Sequence, residues 1–523
     1  MPLWKTVITL VAVLTIPMLA HSATIIVPDD YPTIQGAIEA AVNGDTVLVK
    51  PGTYVENIDF LGKAVTVMSS EGPDVTKIDA GDPVNPDLGS AVTFSSGEEL
   101  DSILDGFTLF NGTGTLDPVN PTYKGKGIYC DGASPTIVNN VITSPFEPYK
   151  DVLGGGIYLK DSEAFIALNE ITGNMIVSRF GGGIYSIDSS PHIQENLIQS
   201  NVAGDEGMRG GGIYCEGGNL SFFNNRIIGN RSDQGGGIYL YFTNGIVADN
   251  LIKDNWVSSA SIASSGGGVY VNSNGILFSN NMVINNNADF EGGGIVINGS
   301  GVVMDGCTFY GNNAGSFGGG IACLNIASLN NSILWNNAPS QIYDPGTLLS
   351  VSHCDVEGGC AGPGVINADP AFHDPASCDF HLTYLSPCRD TGDNTAVWVP
   401  MDFEGDPRIA YGTVDMGADE FHPHLYWTGD SVPGGSVEGK IVGLPGTDPI
   451  GLFFGSGALD PPLPSVFGPW FLQFPVVVVA PLGPVPSSGL VVLPATVPAV
   501  QNTFYMQAFI GDVLSNLSVM EVE

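Results

Sequence analysis

The stretch Gly154-Gly155-Gly156-Ile157-Tyr158-Leu159, followed by Asn169 and Asn174, decides the fold of this chain because it keeps returning. Variants begin at Gly125, Gly154, Gly181, Gly210, Gly235, Gly266, Gly292 and Gly318, every 25 to 31 residues. Fifteen positions after each of the first six starts stands an asparagine: Asn140, Asn169, Asn196, Asn225, Asn250 and Asn281. Twenty positions after the second to seventh starts stands another: Asn174, Asn201, Asn230, Asn255, Asn286 and Asn312. Only the stretch between the second asparagine and the next glycine changes length. A constant core with a variable tail is the pattern of a solenoid whose loops emerge on one side.

Within a unit, Ile157-Tyr158-Leu159 or Ile184-Tyr185-Ser186 alternates as a short strand with its first residue inward. Further apolar positions recur at Ile166, Ile193, Phe222, Val247 and Phe278, and again at Ile171, Ile198, Ile227, Ile252 and Val283. Three short strands per unit predict an all-β chain, a right-handed parallel β-helix with three-strand rungs. No helical run separates the repeats, which excludes a leucine-rich or helical solenoid. Rungs stacked at about 4.8 Å place identical residues above one another. The asparagines then form ladders that cap their own turn and bond the next. The repeated glycines supply a turn of positive φ. They precede strands in every rung, unlike the strand, glycine loop and helix of a phosphate cradle.

Residues 1–22 read as an export signal: Lys5, an apolar run over residues 7–19, then Ala20-His21-Ser22. No later run is apolar and long enough to span a bilayer, so a secreted or cell-surface protein with no transmembrane segment in the mature chain is expected. The net charge is −38, yet charged residues are only 13% of the chain. No lysine or arginine occurs between Lys253 and Arg389. That scarcity of cations excludes nucleic acid as a partner. Of the eight cysteines, Cys354 with Cys360 and Cys378 with Cys388 are the expected local bridges. Cys130, Cys215 and Cys323 share the inward site of Leu159 and Leu240. No Cys-x-x-Cys pair exists, and His373 and His381 flank Cys378 without the spacing of a zinc motif.

The chain divides into an N-terminal cap with irregular rungs (23–124), regular rungs (125–350), an end-piece (351–423) and a Pro/Gly-rich, β-sandwich-like domain (424–523). In the cap, Ile34, Ala37, Ile38 and Ala41 share one face of a short helix that can plug the open end of the solenoid. The stretch Tyr31-Pro32-Thr33-Ile34-Gln35-Gly36 through Pro51-Gly52-Thr53-Tyr54, with the rungs that follow, resembles bacterial secreted β-helix proteins of the pectate-lyase-like superfamily. Asn367-Ala368-Asp369-Pro370, Ser386-Pro387-Cys388-Arg389-Asp390 and Asp415-Met416-Gly417-Ala418-Asp419 are similar to the end-piece of secreted or surface-anchored members. The resemblance covers residues 24–423 and implies architecture more than activity.

For enzymes of that kind, the resemblance implies a basic residue with carboxylate-bound calcium in lyases, clustered aspartates in hydrolases, and an Asp-Pro-His motif in epimerases. Asp-Pro-His is missing here, as are the hydrolase motifs Asn-Thr-Asp, Gly-His-Gly and Arg-Ile-Lys. The candidate catalytic pair is Arg226 and Lys253, outward beside Ile227 and Ile252 in adjacent rungs: one as base, the other to neutralise a uronate. Candidate ligand-binding residues are Tyr129, Tyr158, Tyr185, Tyr214, Tyr239 and Tyr270, an outward ladder on which sugar rings could stack; the competing reading is a structural stack under the variable loops. Asp402, Glu404 and Asp406 are the candidate metal ligands, with calcium as the candidate cofactor, although their spacing is not that of an EF-hand. The expected function is binding of polysaccharide or a cell-surface glycan, or surface adhesion. The alternatives are a lyase acting on uronate glycans and a purely structural stalk.

Overall fold

The computed structural model describes residues 22–117, 119, 121–144, 151–176, 180–204, 207–258, 264–410 and 412–421, together with the backbone of strands between His424 and Glu521. Residues 1–21, and with them nearly all of the expected export signal, lie outside the described residues. No described helix is long and apolar enough to cross a membrane.

Each turn contributes one strand to each of three parallel sheets. Among the described residues the first sheet has 13 strands, from Thr24–Val27 to Leu349–Ser352. The second has 12, from Gly52–Val55 to Asp355–Val356, and the third has 11, from Ile58–Asp59 to Ile342–Tyr343. The fold is therefore the expected right-handed parallel β-helix. A feature beyond the three-strand reading is a six-stranded sheet of two-residue strands, Met175–Ile176 to Asn313–Ala314, formed directly after the second asparagine of each rung.

Register is strict because the repeat is strict. Ile128, Ile157, Ile184, Ile213, Ile238 and Val269 pair in succession, as do Ile142, Ile171, Ile198, Ile227, Ile252 and Val283. All of them are fully buried in one continuous core. The leading glycine of a unit is left-handed, with φ 65° at Gly210, where an added Cβ would meet Ile213 O at 2.4 Å. Any other residue there would clash as well as strain the backbone.

Both asparagine ladders form inside the turns. Asn169 Nδ2 donates to Asn196 Oδ1 at 3.0 Å and to Ile137 O at 2.9 Å, and the bond repeats rung by rung to Asn281. The second ladder runs from Asn174 through Asn312 to Asn337 and ends on Gln341. Past Asn281 the first ladder continues in other chemistry: Cys307 N donates to Ser332 Oγ, and Ser332 N to Cys354 Sγ.

That continuation corrects the expected disulfides, since every cysteine is a free thiol. Cys354 does not pair with Cys360, because it is buried and spent as the last step of the ladder. Cys388 does not pair with Cys378; its thiol is buried and donates to Asp355 Oδ2 at 3.2 Å.

At the N-terminal end, helix Ile34–Ala40 is capped by Thr33, whose side chain accepts from Gly36 N. It buries Ile34, Ala37 and Ile38 and lies against strands Thr24–Val27, Thr46–Val49 and Ile58–Asp59. At the other end, residues 366–410 and 412–421 fold back along the outer face of the second sheet. Phe380 and Ala418 cover Met282 and Ile284, with Phe372 and Phe403 alongside. Leu382, Cys388, Met416 and Phe421 cover Ile333. Polar bonds lock this arrangement: Asn280 Nδ2 to Met401 O at 2.7 Å, Asp393 N to Asn331 Oδ1 at 2.7 Å, and Ala418 N to Thr308 Oγ1 at 3.0 Å. The strands from His424–Gly429 to Ser518–Glu521 pair antiparallel, Ser436–Val442 against Leu490–Thr496 and Ile450–Gly455 against Thr503–Ile510 among them.

Candidate functional site

The outer face of the second sheet is covered from the Met282 strand onward and open before it. Where the covering stops, a cleft of about 560 Å³ remains between the rungs and the end-piece. Its sheet side carries Arg226, Ile228, Leu251, Lys253 and the turn residue Asp249; its end-piece side carries Cys378, Asp379, His381, Phe403 and Glu404. Strand alternation explains the sheet side: Ile227 and Ile252 point inward, so Arg226 and Lys253 point out. Their columns differ, since Arg226 pairs with Leu251 and Lys253 with Ile228.

The two predicted catalytic cations thus share one cleft. Arg226 is exposed, and no side-chain partner meets it among the described residues. Lys253 lies 3.4 Å from Asp254. Lost hydration works against its charge, but a bond to Cys378 and the Asp254 carboxylate outweigh that and raise its pKa. Lys253 is therefore a fixed cation and a poor base. Asp249 stands in left-handed backbone, φ 59°, on the turn before the asparagine ladder. Burial pushes its pKa up to about 7, against a 3.1 Å bond from Asn280 Nδ2, with the Asp402 charge adding and Arg408 opposing.

On the opposite wall, Asp379-Phe380-His381-Leu382 alternates in the same way. Phe380 and Leu382 are buried on the sheet, while Asp379 and His381 are half-buried. His381 Nδ1 is 2.5 Å from Asp379 Oδ1, and His381 Nε2 is 2.9 Å from Glu404 Oε2. His373 Nδ1 lies 2.7 Å from the other Asp379 oxygen. Desolvation disfavours the His381 cation, yet Asp419, Asp379 and Glu404 together push its pKa up to about 12. Burial alone would raise Asp379, but the two imidazoles hold it down to about 2. Asp419 is raised well above the usual range, first by burial and then by the Asp402 and Glu404 charges, with His381 opposing.

The predicted metal ligands do not converge. Asp402 is buried and spent on backbone: its Oδ1 accepts from Glu404 N at 2.9 Å and Asp406 N at 2.8 Å, and its Oδ2 from Glu420 N at 3.0 Å. Glu404 turns instead toward His381, and among the described residues His381, Glu404 and Asp419 are the group whose ligand atoms lie within 4.8 Å of one another. Sequence spacing missed this group because its members come from three separate segments. The Asp-Phe-His-Leu alternation was the available signal for His381; Asp419 stood among the clustered acids of the end-piece, with no spacing that tied it to Glu404.

The tyrosine ladder forms, with successive ring centroids from Tyr129 to Tyr270 between 4.9 and 5.7 Å apart. It is not an open ridge, however. Tyr158, Tyr185, Tyr214, Tyr239 and Tyr270 are buried, and Tyr129 at the N-terminal end is half-buried. Leu153, Phe180, Ile187 and Leu324 pack over the rings, Arg209 sits 5.1 Å from the Tyr239 centroid, and Lys124 sits 5.0 Å from that of Tyr158. A row of aromatic faces is too apolar to leave wet when side chains from the variable loops can cover it. In this arrangement the faces are closed to a sugar.

Residues 126–286 match the family model of the right handed beta helix region. No curated protein matches the chain. Among solved structures it is similar to a PL6-family alginate lyase at 13% identity and TM-score 0.33, over 75% of this chain and 60% of the lyase. It is also similar to the enzymatically active domain of tailspike protein 2 of bacteriophage CBA120, at 13% identity and TM-score 0.32, over 91% and 69% of the two chains. A pectin methylesterase crystallised with a hexasaccharide gives 12% identity and TM-score 0.24, over 66% and 91%. By their repeat and by their three parallel sheets, the described rungs from Thr24 to Val356 fold as a right-handed parallel β-helix.

Proposed function

We propose that this protein binds acidic polysaccharide at or outside the cell surface, in the cleft between the second sheet and the end-piece. The observation that carries the reading is the pairing of Arg226 and Lys253 in that cleft, in a chain with only 16 lysines and arginines. Two cations beside the apolar side chains of Leu251, Ile228 and Phe403 suit a uronate, which offers a carboxylate on one edge and a C–H face on the other. The acidic remainder of the surface repels a polyanion elsewhere and so favours this one point of entry.

The test is affinity electrophoresis and calorimetry with polygalacturonate, alginate and a neutral glucan. Binding of at least one acidic chain, weakened about tenfold or more by Arg226→Ala with Lys253→Ala, is expected, since each charged bond is worth roughly 1.5–3 kcal/mol. Equal binding of the neutral glucan, or no effect of the double variant, removes the reading.

A lyase is the second reading, and Asp249 favours it. With a pKa near 7 in the cleft wall, it can take a proton at neutral pH, while the protonated Lys253 neutralises the uronate carboxylate. Ultraviolet absorbance from unsaturated products, present in the wild type and abolished by Asp249→Asn, distinguishes cleavage from binding alone. Calcium and chelator arms of the same assay test the expected cofactor.

A further inference from the structure

His381, Glu404 and Asp419 each offer one ligand atom, an imidazole nitrogen and two carboxylate oxygens, all within 4.8 Å of one another. They come from strand Asp379–Leu382, the loop after Asp402 and the tight turn before Phe421, so only the folded end-piece assembles them. The imidazole is already oriented. Asp379 Oδ1 takes the Nδ1 side at 2.5 Å, which leaves Nε2 facing Glu404 Oε2 at 2.9 Å. Ligating histidines are held in this way, by a carboxylate on the nitrogen that does not meet the metal.

Asp419 supplies the second, independent observation. Its side chain is 6% exposed, yet among the described residues no hydrogen-bond donor meets its carboxylate. The neighbouring buried acids are all supplied. Asp402 accepts three backbone N–H groups, Asp415 accepts from Asp390 N and Phe421 N, and Glu420 accepts from Ala410 N, Asp415 N and Arg408. A carboxylate so far from water, with no donor and only the His381 imidazole opposite it, favours a further cation beside it. Here it faces two further carboxylates across a single imidazole.

The geometry points to a divalent transition-metal site at His381, Glu404 and Asp419, with Asp379 as the positioning residue behind the imidazole. A nitrogen with two carboxylates suits zinc, manganese or iron(II) better than calcium, which takes six to eight oxygens. Three protein ligands leave room for water or a ligand oxygen, as in sites that do chemistry rather than only staple a fold. Two of the three ligands, His381 and Glu404, also line the cleft opposite Arg226 and Lys253. The site is independent of the glycan reading: either can fail without the other.

The tag-free chain is dialysed against zinc and, separately, manganese, then against metal-free buffer, and the retained ion is measured by plasma mass spectrometry beside thermal unfolding with and without chelator. About one equivalent is expected to stay, with a melting temperature that falls on chelation. His381→Gln and Asp419→Asn should each weaken retention about tenfold or more, while Asp406→Asn leaves it unchanged. The His381 side chain keeps 28% of its surface exposed, so its variant carries the test if Asp419→Asn does not fold. No retained ion in the wild type overturns the site. So does retention that both ligand variants leave intact, or retention that Asp406→Asn abolishes equally, since that marks diffuse acidity.

Discussion

Asn225 makes four hydrogen bonds through its side chain: Nδ2 donates to Ile193 O and Asn250 Oδ1, and Oδ1 accepts from Asn196 N and Asn196 Nδ2. Nothing apolar can replace it, because each partner is buried and would be left unpaired. Removing one partner of a buried pair costs about 1–3 kcal/mol per orphaned group. Asn225→Ala should therefore lose more than about 2 kcal/mol in urea unfolding; a loss below half that would mean water replaces the ladder. Asp249 obeys a different logic. Its folded pKa of about 7 lies above its ordinary value, so its contribution to stability is fully present below about pH 4 and is lost as pH rises through 7. Asp249→Asn should flatten the fall in unfolding free energy between about pH 4 and 7, by at most about 4 kcal/mol. An unchanged pH profile would show that the carboxylate is ionised throughout.

At the scale of elements, the end-piece makes the cleft. Phe380 is its main anchor, 5.0 Å from the Tyr310 ring and 5.3 Å from the Phe372 ring, over Met282 and Ile284. Phe380→Ala should cost about 3–5 kcal/mol, and it should spend that locally, because each rung of a solenoid is held chiefly by its neighbours. The expected outcome is faster labelling of buried Cys388 by a thiol reagent and weaker glycan binding, with far-ultraviolet dichroism of the rungs retained. Unchanged labelling would mean that the polar bonds from Asn280, Asn331 and Thr308 hold the end-piece without Phe380.

At the scale of the whole molecule, the repeat could be read from the sequence because a parallel β-helix turns spacing along the chain directly into position in space. A residue and its counterpart one unit later become hydrogen-bonded neighbours, so the inward isoleucines, both asparagine ladders and the tyrosine stack were determined by sequence alone. Exposure was not. Whether the Tyr214 and Tyr239 rings faced water depended on what Phe180 did above the first and Arg209 above the second, in stretches where the repeat is irregular. The cleft lay further still beyond the sequence. Met401 meets Asn280 across 121 residues and Ala418 meets Thr308 across 110, and no periodicity links the end-piece to the rungs it covers. Only the tertiary structure decided that His381, Glu404 and Asp419 converge and that Arg226 and Lys253 stay open. Such contacts are chosen by burial of unlike apolar surfaces, which leaves no spacing rule along the chain.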